Sequence, residues 1–160
     1  MNPPDQVRAI TTVAVDPETA FEVFTDEVDL WWKRGPAHRF GHGRDGRLRF
    51  EPGVGGRLVE VFDEARGDVY EVGRVRVWDK GARLVFEFRA LAFEPGQITE
   101  VEVRFEAVDG GTRVILEHRG WGALRADHPV RHGLEGEAFG SMIGLWWAEL
   151  LQSFGRRARR

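Results

Sequence analysis

From residue 83 to residue 119, apolar and charged side chains alternate almost without a break. Phe86 and Phe88, then Val101, Val103 and Phe105, then Val114 and Leu116 fall on one side at period two. Glu87 and Arg89, Glu102 and Arg104, Arg113 and Glu117 fall on the other. This period belongs to half-buried strands, whose opposite charges can pair with those of neighbouring strands. The same texture begins earlier, with "RLRFE", "RLVEVF" and "DVYEVGRVRVWD", and short turn signals separate the runs: "KG", "EPGQ" and "DGG". Strands spaced in this way predict a meandering antiparallel sheet. Upstream, Val7, Ala9, Thr11, Val13 and Val15 share one face of a further strand. Asp16 and Pro17 then suit the cap and first turn of a short helix with an apolar stripe of Ala20, Phe21, Val23 and Phe24. A second short helix carries Val28, Trp31 and Trp32 and stops at Gly35-Pro36. The chain closes with one long helix over about 137–157, with Phe139, Ile143, Trp146, Leu150 and Phe154 near one side and Met142 and Trp147 flanking them. A stripe that wide needs an apolar partner, and the inner face of the sheet is the available one.

Composition narrows the class of protein. A length of 160 residues, 42% hydrophobic and 31% charged, suits a single soluble domain spanning 1–160. The net charge of −3 argues against a nucleic-acid binder. Cysteine is absent, which excludes disulfides and thiolate chemistry. The first residues lack the basic and apolar regions of a secretion signal, and no apolar run is long enough for membrane insertion. A cytoplasmic location is therefore expected. Lysine occurs only at Lys33 and Lys80 against many arginines, a bias that points to a GC-rich bacterial genome.

Four stretches carry a family likeness: "DPETAFEVFTDEVDLWW", "FEPGVGGRLVEVF", "GRVRVWDKGARLVFEF" and "TRVILEHRGWGAL". In this order the chain resembles the START-like (SRPBCC) superfamily, and within it the homologues of the activator of the heat-shock chaperone ATPase (AHSA-type domains). The resemblance implies an α+β helix-grip fold. A curved antiparallel sheet of six to seven strands would wrap a long C-terminal helix, with two short helices after the first strand. It also implies a cavity between sheet and helix that takes a small hydrophobic or amphipathic molecule. Two alternatives come with it: a co-chaperone-like protein-interaction module, or a cyclase/lyase-type enzyme using the same cavity. The full activator has a second, N-terminal domain without a counterpart here, so ligand binding is expected ahead of the co-chaperone role.

The candidate chemistry is sparse. Gly53, Gly55 and Gly56 are followed by Arg57-Leu58 and a strand pattern where a phosphate loop needs a helix, so the cluster reads as a hairpin turn. His38 with His42, and His128 with His132, have a zinc-like spacing of four but lie in loop segments without a metalloprotease glutamate. They read as surface residues, and no metal or cofactor is expected. Serine occurs only at Ser141 and Ser153, in the last helix, so no nucleophile elbow exists and no catalytic residue is assigned. His118 is in phase with Val114 and Leu116 on the inner face. It is either a structural histidine with satisfied nitrogens or a polar anchor at the cavity rim, gripping a ligand head group or acting as an acid–base group. Trp121, between glycines, is a candidate lid, with Trp31 and Trp32 across the mouth. The expected cavity contacts are Trp31, Phe86, Phe88, Val103, Phe105, His118, Trp121, Met142 and Trp146. The facing of Glu60 and Glu71 stays open, because their strands are apolar on both sides. The four arginines of "GRRARR" read as a solvated helix end.

Overall fold

The computed structural model describes residues 5–89, 93–124, 128–129 and 136–159. Strand β1 (Gln6–Val13) leads into α1 (Pro17–Asp26) and the single turn α2 (Val28–Trp31). Six strands follow: β2 (Arg47–Phe50), β3 (Arg57–Asp63), β4 (Asp68–Asp79), β5 (Arg83–Phe88), β6 (Thr99–Val108) and β7 (Gly111–Arg119). A 3₁₀ turn (Trp121–Ala123) and the long helix α3 (Gly136–Arg157) complete the order. All pairings are antiparallel in one seven-stranded sheet ordered β1-β7-β6-β5-β4-β3-β2. This is the helix-grip arrangement expected from the sequence.

Local chemistry accounts for the boundaries. Asp16 caps α1 by accepting the Thr19 N–H at 3.1 Å, and Pro17 occupies the first turn. The glycine cluster is the β2–β3 turn. Gly53 and Gly55 have φ of 88° and 85°, which disfavours a side chain, and a Cβ on Gly56 would lie 2.1 Å from the Glu51 carbonyl oxygen. The turn also docks on β4, where the Gly55 N–H and the Gly56 carbonyl both bond to Val75. Glu51 holds it from below through the Arg57 guanidinium and backbone N–H, and the Arg57 hydrogen bond keeps its carboxyl down at about 2.

The register slips between β3 and β4 at Leu58/Val59 and Val61/Asp63, and between β4 and β5 at Val75/Val77. At Gly73 the backbone of β5 comes so close that an added Cβ would sit 1.7 Å from the Glu87 carbonyl oxygen. The concave face carries the apolar set read from the sequence: Phe86, Phe88, Val101, Val103, Phe105, Val114 and Leu116 are all buried. The convex face carries the charge ladder, with Arg104 on Glu117, Arg76 on Glu87, and Glu102 between Arg83 and Arg119.

The backbone of α3 lies closest to β1 and also meets α1 and α2. Across to β5 and β7 the gap is spanned by side chains, Trp147 reaching the rings of Phe88 and His118. The buried stripe of α3 runs Phe139, Ile143, Trp147, Leu150, Leu151 and Phe154, and Ala158 just past the helix is buried as well. Trp147, expected at the flank, is therefore central, and Trp146, expected in the stripe, is half-buried. Such a stripe stays on one side of a 3.6-residue helix, and Trp147 rather than Trp146 sits at its centre. At the helix end Arg157 is not free in solvent but bonds to Glu27 at 2.7 Å.

Candidate functional site

The concave face holds two aromatic groups. One lies toward the C-terminal half of α3. There Phe24 contacts Trp31, Phe50, Phe105 and Phe154, and Phe50 meets Phe86. The other lies toward the N-terminal half, where Phe88 meets Phe40, His118, Trp146 and Trp147. The expected cavity residues are thus divided. Phe88, His118, Trp121 and Trp146 belong to the second group, while Trp31, Phe86 and Phe105 belong to the first, with Val103 fully buried and Met142 half-buried against the core. Trp121, expected as a lid, is 1% exposed and packs 4.4 Å from the His118 ring and 5.3 Å from Phe139.

His118 is tied at both nitrogens. The indole N–H of Trp147 donates to Nδ1 at 3.0 Å. Indole nitrogen is only a donor, so Nδ1 is the acceptor and the neutral ring carries its proton on Nε2. Nε2–H then donates to the Thr99 hydroxyl at 2.6 Å, and that hydroxyl donates to the Phe88 carbonyl at 3.0 Å. Burial pushes the imidazole down to about 3. The ring is neutral at pH 7, with both nitrogens engaged in hydrogen bonds inside the protein.

The loop between α2 and β2 covers this end. Arg39, 6% exposed, bonds to the Asp29 carboxylate at 2.8 Å and to the carbonyls of Asp29, Trp32 and Lys33. Asp29 also accepts the Leu48 N–H, so one carboxylate joins α2, the loop and β2. Burial opposes its ionisation, but the Arg39 and Leu48 hydrogen bonds and the nearby guanidinium charges outweigh it and lower its pKa. The indoles of Trp32 and Trp146 donate to the carbonyls of His38 and Ala37.

Two loop histidines read as surface residues are buried, His38 at 8% and His128 at 2% exposed. His38 stacks on Trp146 at 5.6 Å and 19°, and His128 bonds to the Gln97 side chain beside Phe93. An imidazole offers an apolar face as well as polar tips, and here the faces found rings. Burial and Lys33 lower the His38 pKa against the pull of Glu149 at 3.6 Å. His42 is exposed, and His132 lies outside the described residues.

The open question of the two glutamates is settled by pairing. Glu60 lies opposite Leu48 and Tyr70 on the concave side and is fully buried. Its Oε1 accepts the Phe40 N–H at 2.7 Å. Glu71 faces outward and is shared by Arg74 and Arg89. Phe40 stacks on Tyr70 at 5.2 Å and 9°. Sequence reasoning passed over Phe40, Tyr70, Thr99 and Arg39. Only Tyr70 carried a signal, being in phase with Val72, and β4 changes phase next to Gly73.

A helix-grip domain with an aromatic end, a neutral buried histidine and a tied-down loop is a START-like domain. Residues 14–139 match the model of the family described as "Activator of Hsp90 ATPase homolog 1-like protein", and the chain belongs to that family. No curated protein matches it. Among solved structures it is similar to an anthrahydroquino-γ-pyrone synthase, Txn09, solved as a complex. That likeness has 29% identity, covers 96% of this chain and 97% of that one, and has a TM-score of 0.58. It also resembles DynU16, from the dynemicin biosynthetic locus, with 17% identity and a TM-score of 0.64, covering 96% of this chain but 47% of that longer one. A Plasmodium falciparum Hsp90 activator is similar at 19% identity and TM-score 0.61, covering 93% of this chain and 92% of that one. The last two likenesses concern the fold alone.

Proposed function

We propose that the chain binds a small, planar, mainly apolar molecule at the aromatic end of the grip, between β4, β5 and the N-terminal half of α3. One observation carries this reading. Tyr70, stacked on Phe40, and Trp146, beside Phe88 and Trp147, remain half-buried, so ring surface is left for a ligand to cover. Covering apolar surface is worth about 25 cal/mol per Å² before the entropy of binding is subtracted. The likeness to a synthase that makes an anthrahydroquino-γ-pyrone supports a fused-ring ligand. That likeness also favours a second reading, a ring-closing enzyme working in the same place. Such an enzyme needs an acid–base group other than His118. The family name adds a protein partner as a further alternative.

The test is titration with 1,8-dihydroxyanthraquinone, followed by tryptophan fluorescence, with native mass spectrometry of freshly purified protein beside it. Saturable quenching is expected, weakened about tenfold in Trp146→Ala by loss of the ring contact. Absence of saturable quenching together with absence of a co-purified small molecule would overturn the reading. Under the enzyme reading, a linear polyketide analogue would come back lighter by one water.

A further inference from the structure

Two acidic side chains are buried among the described residues, Glu60 and Glu102. Their surroundings differ. Glu102 lies on the convex face and is held by both Arg83 and Arg119. Glu60, with 0% exposure, has the Phe40 N–H on Oε1 and no hydrogen-bond partner on Oε2. A buried carboxylate with one oxygen left without a hydrogen bond is costly, and buried polar atoms are ordinarily satisfied.

Glu60 also lines a cavity. A pocket of about 90 Å³ lies between β3 and the loop before β2, lined by Arg34, Gly35, Arg39, Arg44, Gly46 and Glu60 among others. Gly46 makes room there, since a Cβ on it would stand 2.7 Å from Oε2. The pocket shares Arg34, Asp45 and Gly46 with an open groove of about 570 Å³ that adds Val61, Phe62 and Glu64. The three arginines around the pocket are committed elsewhere. Arg34 serves Asp29 and the Gly46 carbonyl, Arg39 serves Asp29 and three carbonyls, and Arg44 pairs with Asp68 over the Phe62 ring. None of them hydrogen-bonds to Glu60, although the Arg44 charge acts on it.

We infer that this pocket is a second binding site, for the ammonium head of a primary amine, with Glu60 Oε2 as its acceptor. A cation can pair with the carboxylate directly as well as supply the missing hydrogen bond, and a neutral hydroxyl supplies only the second. The pocket admits a small head group, and the groove with Val61 and Phe62 receives a short apolar or aromatic tail. This site uses the Glu60 oxygen that the Phe40 bond leaves open and does not rest on the aromatic-end reading.

The experiment is an NMR titration of the ¹⁵N-labelled chain with benzylamine, which is cationic at pH 7, and with benzyl alcohol as its neutral counterpart. Benzylamine is expected to shift the Phe40 and Gly46 amides saturably, and benzyl alcohol to leave them unmoved. Glu60→Gln keeps an acceptor for the Phe40 N–H and removes the charge, so affinity should fall about 10- to 100-fold. Gly46→Ala, which places a methyl against Oε2, should also abolish the shifts and provides a second variant should Glu60→Gln not fold. Equal shifts with the alcohol, unchanged affinity in both variants, or no saturable shift with benzylamine would each overturn the inference. A titration with 1,8-dihydroxyanthraquinone should be unaffected by Glu60→Gln, which keeps the two sites distinguishable.

Discussion

Lowering the pH from 7.5 to 5.0 should destabilise the fold chiefly through His118. In the folded chain its imidazole is pushed down to about 3 by burial, against an ordinary value of 6.5. Between those two values the unfolded chain binds a proton that the folded chain does not. Stability therefore rises with pH across that window, is fully present above 6.5, and is lost as the pH falls toward 3. At pH 5.0 about 97% of unfolded-state imidazole is protonated, which amounts to about 2 kcal/mol relative to pH 7.5. That figure hardly depends on the folded value so long as it lies below 4. The assay is urea unfolding at steps of half a pH unit, on the native chain and on His118→Gln. His38, whose pKa is also lowered, adds a slope of the same sign, and the comparison with the variant subtracts it. A difference between the two chains that changes by less than about 0.5 kcal/mol over this range would refute the account. It would mean that His118 can charge inside the fold, which the hydrogen bond from Trp147 to Nδ1 forbids.

The remaining predictions follow from single contacts. Trp147→Phe keeps a ring in the core but removes the donor to His118 Nδ1; it should cost about 1–3 kcal/mol in urea unfolding and raise the imidazole pKa, readable by ¹⁵N NMR. Asp29→Asn leaves Arg39 buried without its carboxylate and should cost about 3 kcal/mol, with faster hydrogen exchange at the Leu48 amide. Gly73→Ala drives a methyl into the Glu87 carbonyl and should cost more than about 3 kcal/mol, whereas Val54→Ala, in the exposed glycine turn, should stay within about 0.5 kcal/mol.

The sheet was legible because its signal is local. Phe86, Val103 and Leu116 each sit two residues from an apolar neighbour, and only one register of a pleated strand buries them together. The cap at Asp16 and the turn at Gly53–Gly56 were legible for a similar reason, since both answer to backbone geometry within a few residues. Trp146 and Trp147 were not separable by period, because both lie within the width of one apolar stripe. The outcome depended on which of them His118 and Phe88 could reach from across the sheet. Glu60 and Glu71 were undecidable for another reason. The register slip between Leu58 and Val59 shifts the phase of β4 relative to β3, and alternation within either strand does not reveal it.

The sequence by itself determined the order of the elements, the apolar inner face, the charged outer face and the family. Those follow from periodicity and backbone preference, which act over a few residues. Only the tertiary structure decided that His118 is neutral and satisfied, that His38 and His128 are buried, and that Glu60 keeps one oxygen free beside a pocket. Hydrogen-bond satisfaction and desolvation depend on groups brought together from distant parts of the chain. Glu60 meets Phe40 across 20 positions and His118 meets Trp147 across 29, and no pattern along the chain records which partner will arrive.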